Sequence, residues 1–272
     1  MKRTTPFKAP TDFEKELTDF SDRYKVLLAE HAKRISDYFE MTCYNLVIRY
    51  YEKKGYELTV QNLQGGKFKF KCCPTGLLKN FSYFKATKVV EQGNEDVVFI
   101  YHNATTQSAF DDKVFTTPDI VVSKTDNPAE TKDYYSTKKV LSYIPKESLV
   151  SFCEAKHLTP FPELMVNFIG MVHELKPDCV SDDEEHGVSD HIAPSLMMSG
   201  TFGKPTRRIK ESFEKRYYVN FFDNLFEGTS VRMFLSKYGI EQMATLGKRC
   251  EKAPMIDGVV GEIQDNNETL ES

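Results

Sequence analysis

Two short runs carry charges that a purely structural strand would not need. The first is Thr116-Thr117-Pro118-Asp119-Ile120-Val121-Val122, where an acid stands directly ahead of an aliphatic run. The second is Leu149-Val150-Ser151-Phe152-Cys153-Glu154-Ala155-Lys156-His157-Leu158, where Glu154 and Lys156 interrupt a run rich in Val, Phe and Cys. Residues i and i+2 of a strand share a face, so Glu154 and Lys156 project together and Ala155 turns the other way. Carboxylates brought together from neighbouring strands repel unless a cation neutralises them. Mg²⁺, which takes oxygen ligands and keeps several waters, suits such a site. A cation there would polarise a phosphoryl oxygen and acidify a water, and a lysine on the same face would hold the water or the phosphoryl charge.

The flanking sequence predicts the elements that hold these residues. Thr11 and Glu14 form a capping box, and Phe13, Leu17, Phe20, Tyr24, Leu27 and Leu28 recur at spacings of three and four. That pattern predicts an amphipathic helix from Asp12 to about Ala32, lying on the next helix or on a second copy of the chain; residues 1–35 read as a lead plus this helix. Ser36 to Lys54 reads as a second helix with Phe39, Tyr44, Val47, Ile48 and Tyr51 on its apolar face and Gly55 after its end. Strands are predicted at Tyr56–Leu63, Lys67–Lys71, Phe81–Val90 and Asp96–Thr105. In Lys67-Phe68-Lys69-Phe70-Lys71 the alternation predicts lysines facing outward. Ser123 to Lys146 is long and polar, an excursion over the surface that could face a substrate. Thr159 is the expected cap of a largely apolar helix over Leu164–Leu175. A strand at Ser195–Phe202 and a helix from Thr206 to Phe222 follow, the helix carrying Arg207, Arg208 and Lys210 in its first turns. Cations there run against the helix dipole, which hints at phosphate contact. Short helices are expected within 226–250, and 251–272 reads as an acidic, disordered tail. The fold class is therefore α/β (α+β mixed), a central mixed sheet flanked by helices, with its core over residues 36–225.

Pro118-Asp119 followed by Glu154-Ala155-Lys156 resembles the active site of the PD-(D/E)XK phosphodiesterase superfamily, which has a restriction-endonuclease-like fold. The order of elements matches as well: a helix, a strand meander, the Asp119 strand, the Glu154 strand and a crossover helix. The resemblance implies a Mg²⁺-dependent nuclease, with Mn²⁺ as a substitute, acting on nucleic acid and in the first place as a DNA endonuclease. Asp119, Glu154 and the Ala155 carbonyl would ligate the metal, and Lys156 would serve the water and the phosphoryl charge. Family members often add a first-helix glutamate; Glu40 is the better candidate and Glu52 the other, each weighed against a plain exposed helical Glu. Lys67, Lys69, Lys71, Arg207 and Arg208 are the candidates for holding the nucleic acid, by location alone. The alternatives are a non-catalytic nucleic-acid-binding or protein-interaction module on the same fold, and a subunit active only with a partner.

The bulk properties narrow the classes. A 40% hydrophobic, 28% charged chain of 272 residues has a sizeable core to bury. Its formal charge of −4 excludes coating nucleic acid by charge alone. The charge is uneven: residues 40–89 hold nine Lys/Arg against three Glu, while acid gathers at Asp178–Asp190 and in the tail. The six cysteines lack a CxxC pair or framework spacing, and the six histidines lack zinc spacing with them. With no apolar leader, these thiols read as reduced in a cytoplasmic protein. No apolar run approaches the ~18 residues of a membrane span. No phosphate-binding glycine loop occurs.

Overall fold

The computed structural model describes residues 10–28, 35–72, 75–90, 93–137, 139–181 and 191–226. The acidic loop from 182 to 190, the expected C-terminal helices and the tail lie outside them. Seven strands make the main sheet: β1 Glu57–Gln61, β2 Tyr83–Val89, β3 Glu95–His102, β4 Ile120–Ser123, β5 Leu149–Lys156, β6 Ser195–Met198 and β7 Asn220–Phe222. Their order across the sheet is their order in the chain. β1 to β5 are antiparallel neighbours, and β5, β6 and β7 run parallel. Parallel neighbours need a crossover, and two helices supply it. Of the four described α-helices, α1 is Pro10–Tyr24, α2 Ile35–Lys53, α3 Pro162–Leu175 and α4 Lys204–Arg216. The mixed sheet flanked by helices is the fold class the sequence predicts.

Strand alternation splits the core in two. Ala86, Val98, Ile100, Val122, Cys153 and Ala155 pack toward α2 and α1. Phe99, Tyr101, Val121, Phe152 and Leu196 pack toward α3 and α4. Helix α2 is apolar nearly all round because it lies between the sheet and other chain segments; Phe39, Tyr44, Val47, Tyr50 and Tyr51 are all fully buried. Gly55, at φ +86, ends it as predicted.

Four expectations need correction. The N-terminal helix is shorter than expected: it stops at Tyr24, where Lys25 takes φ +50, and its Phe20 is buried against Phe68, Phe70 and Phe84. Its apolar face joins the chain's own core, so α1 lies on the next helix, the first of the two placements expected for it. The Lys67–Lys71 run forms a strand only at Lys67–Phe68, pairing parallel with Leu27–Leu28. Phe70 and Lys71 are both buried, so the alternation fails there. The helix expected from Thr206 to Phe222 ends at Arg216, and the run Tyr217-Tyr218-Val219-Asn220-Phe221-Phe222 leads into a buried strand. That run has no helical period, and continuous apolar runs are what buried parallel strands show. Thr159 is not a cap; α3 begins at Pro162 after Phe161.

The Ser123–Lys146 excursion leaves β4 at the end away from Asp119 and folds a small ribbon, Ala129–Thr131 against Leu141–Tyr143. It returns across the sheet, where Ile144 N–H donates to the Thr105 carbonyl. Tyr101, Val121 and Ile144 share one apolar cluster there, so the excursion covers sheet surface that α3 and α4 leave open.

Candidate active site

The register brings the predicted residues to one end of the sheet. Ile120, the first residue of β4, pairs with both His102 at the end of β3 and Cys153 on β5. Asp119 and Glu154 therefore lie at the same edge. Continued by two residues, this register sets Ala155 opposite Pro118. Proline has no N–H to give, so the Ala155 carbonyl meets no backbone donor from that side. The Ala155 N–H is taken by the Asp119 carboxylate instead, at 2.7 Å.

Asp119, Glu154 and Lys156 converge. The Lys156 ammonium lies 3.0 Å from Asp119 Oδ2 and 2.5 Å from Glu154 Oε2. Asp119 and Glu154 are buried, yet Lys156 is about a third exposed, at 34%, so the group opens to solvent through the lysine. Glu154 Oε1 is buried and finds no hydrogen-bond partner among the described residues. A buried carboxylate oxygen without a protein donor is costly, and a bound ion or a catalytic role is among the explanations for one. Gly200 packs against the chain just past β5: its N–H donates to the Leu158 carbonyl, and a Cβ there would come within 2.6 Å of the Thr159 backbone.

Glu40, on α2, lies near enough to this group to feel the Asp119 charge. Glu40 Oε2 accepts Asn103 Nδ2–H at 3.3 Å and lies 3.9 Å from His102 Nε2. Burial, then the Asp119 charge, push the Glu40 carboxyl up to about 7. Burial and Asp119 likewise push the Glu154 carboxyl above the usual range, against the pull of Lys156. Burial works against the Lys156 ammonium, but the Glu154 and Asp119 charges outweigh it and keep the lysine protonated. Glu52, the other candidate, is a surface residue paired with Arg23 at 3.3 Å and Arg49 at 2.6 Å, far along the helix from this end.

Sequence reasoning missed His102 and Asn103. Asn103 takes φ +51, a conformation that Asn tolerates better than most residues. In that pose its N–H donates to the Asp119 carbonyl at 2.7 Å, its side chain reaches Glu40, and its own carbonyl accepts Lys71 Nζ at 2.7 Å. A polar Tyr-His-Asn step at the end of an apolar strand was the available signal. Burial drives the His102 imidazole down to about 3, so it is neutral.

The basic candidates separate. Lys71 is 1% exposed and props Asn103, so it cannot hold a phosphate. Lys69 sits over the Phe81 ring at 5.1 Å, and Lys67 is exposed. Arg207 and Arg208 are exposed on α4. That helix begins just past β6 at the Lys156 end, where Ser199 N–H donates to the Lys156 carbonyl. Cys43, Cys72, Cys153 and Cys179 form no disulfide, and burial raises the Cys153 thiol out of nucleophilic range. A cleft of about 400 Å³ lies elsewhere, beside the excursion, lined by Tyr83, Tyr101, Asn127 and Glu130, and carries none of these acids.

Among the described residues no three His, Cys, Asp or Glu side chains converge as a metal cage. Mg²⁺ does not need one; it is commonly held by one or two carboxylates and retains waters. Two carboxylates, a carbonyl without a ladder donor and an unpartnered Glu154 oxygen fit that cation. No helix of the described residues is long and apolar enough to cross a membrane. Comparison with family models, with curated proteins and with solved structures finds no match to this chain.

Proposed function

We propose that this chain is a metal-dependent phosphodiesterase of the PD-(D/E)XK type that cleaves nucleic acid, DNA in the first place. The observation that carries the reading is the buried Asp119–Glu154 pair bridged by the Lys156 ammonium, with Glu154 Oε1 left unpartnered. Asp119, Glu154 and the Ala155 carbonyl would hold Mg²⁺ or Mn²⁺, with Glu40 beside them. When bound, such a cation supplies Lewis acidity and an acidified water. Lys156 would orient a water and offset the charge that grows on the phosphoryl oxygens during in-line attack. Asn103 fixes the Asp119 backbone and the Glu40 carboxylate. Lys67, Arg207 and Arg208 hold flanking phosphates by charge.

The test is cleavage of linear, circular and single-stranded DNA and of RNA, with and without Mg²⁺ or Mn²⁺. Wild type is expected to cut only with metal. Glu154→Ala and Lys156→Ala are each expected to lose about a thousandfold or more, the equivalent of about 4 kcal/mol in the barrier. Equal cleavage by the folded variants, or no cleavage of any substrate by wild type, would move the reading to a binding module or a partner-dependent subunit.

A further inference from the structure

The route into the Asp119 strand carries a partly exposed aromatic cluster. Thr106–Gln107 pairs with Phe115–Thr116, and Ile144 bridges to Thr106 on the other side. The Thr105 and Thr117 hydroxyls meet at 3.1 Å. This small patch fixes Phe115 and Tyr143 with their rings 4.8 Å apart. Tyr134, from the tip of the excursion, stands edge-on to Phe115 at 5.2 Å and 88°. It is 46% exposed, and Phe115 and Tyr143 are each only half-buried. Lys132 and Lys139, exposed, flank Tyr134 in the chain.

The ledge is close to the acids. Phe115 and Asp119 are four residues apart, so at most about 14 Å separates their Cα atoms even along a fully extended chain. Affinity for a polyanion must also come from somewhere other than charge, since the chain is net acidic and Lys71 is committed to the interior. Stacking on aromatic rings supplies affinity that tolerates any base sequence, and it needs bases that are unpaired.

We propose that Phe115, Tyr134 and Tyr143 form a stacking ledge for the unpaired bases of a single-stranded polynucleotide. Resting on the phosphodiesterase reading, this makes single strands or splayed ends the substrate class that reaches Asp119 and Glu154. Lys132 and Lys139 follow the backbone of the stacked segment.

The experiment is binding of a fluorescent oligo-dT 20-mer and of a 20-base-pair duplex, in chelator so that no cleavage intervenes, followed by cleavage with Mg²⁺. Tyr134→Ala is expected to weaken oligo-dT binding by about fivefold or more, with duplex binding within about twofold of wild type. Tyr134→Phe keeps the ring and is expected to bind as wild type. The ledge is overturned if wild type does not bind oligo-dT, if Tyr134→Ala binds it normally, or if the duplex suffers equally. Loss of oligo-dT affinity in Tyr134→Ala with no cleavage by wild type would uphold the ledge and sink the phosphodiesterase reading. Glu154-dependent cleavage with an unaltered Tyr134→Ala would do the reverse.

Discussion

The two ends of the central strands treat acid in opposite ways. At the start of β3, Asp96 accepts the Tyr56 hydroxyl and the Lys124 ammonium, and His191 lies 3.4 Å away. Against the cost of burial, these donors hold its carboxyl below the usual range. At the other end Asp119 and Glu154 share Lys156, and Glu40 beside them relies on an amide. There the Glu40 and Glu154 carboxyls are pushed up. One end has more donors than its acid needs; the other has more acid than its cations can serve. Folding alone would favour the first arrangement, so the second is where a cation and a phosphate would be welcome.

The largest stability effect should come from the props beneath the charged end. Lys71→Met leaves the buried Asn103 carbonyl without its donor and should cost about 1–3 kcal/mol. Lys124→Met at the other end removes a pair whose lysine is 46% exposed and should cost under about 1 kcal/mol. Urea unfolding of both variants checks the contrast, and equal losses would break it.

Next comes pH. His102 has a folded value of about 3 against its ordinary 6.5. Its contribution is intact above pH 6.5 and falls as pH drops, because the unfolded chain takes a proton that the folded chain refuses. Between pH 6.5 and 5 His102 alone should lose about 2 kcal/mol, while the raised Glu40 carboxyl takes up a proton in the folded chain and offsets that loss, so His102→Asn should make stability rise as pH falls across this window.

The smallest effects sharpen the comparison by their sign. Asp96→Asn should lower the thermal midpoint in metal-free buffer. Glu154→Gln should leave it unchanged or raise it, since Lys156 keeps Asp119 as a partner and a strained carboxylate is gone. A lower midpoint for both would mean that Glu154 is simply a satisfied structural acid.

Much of this architecture could be read in the chain. The α2 helix, expected over Ser36–Lys54, is Ile35–Lys53, and the Phe81–Val90 and Asp96–Thr105 strands are Tyr83–Val89 and Glu95–His102. Strong periods and glycine stops made them legible. What failed were positions set by tertiary burial. Lys71 alternates correctly in sequence but turns inward to meet Asn103. β7 was hidden at the end of a basic helix because its apolar run has no period of its own. The convergence of Asp119, Glu154 and Lys156 followed from strand geometry. The part played by Asn103 depends on a left-handed backbone that one residue type does not announce.

The most direct measurement is calorimetric titration of Mg²⁺ into wild type, Glu154→Gln and Asp96→Asn at pH 8. At that pH Glu40 is ionised. Wild type and Asp96→Asn should each bind Mg²⁺, and Glu154→Gln should lose that binding. Binding that survives in Glu154→Gln, or no binding by wild type, would contradict the claim that this acid-rich end is built to hold a metal.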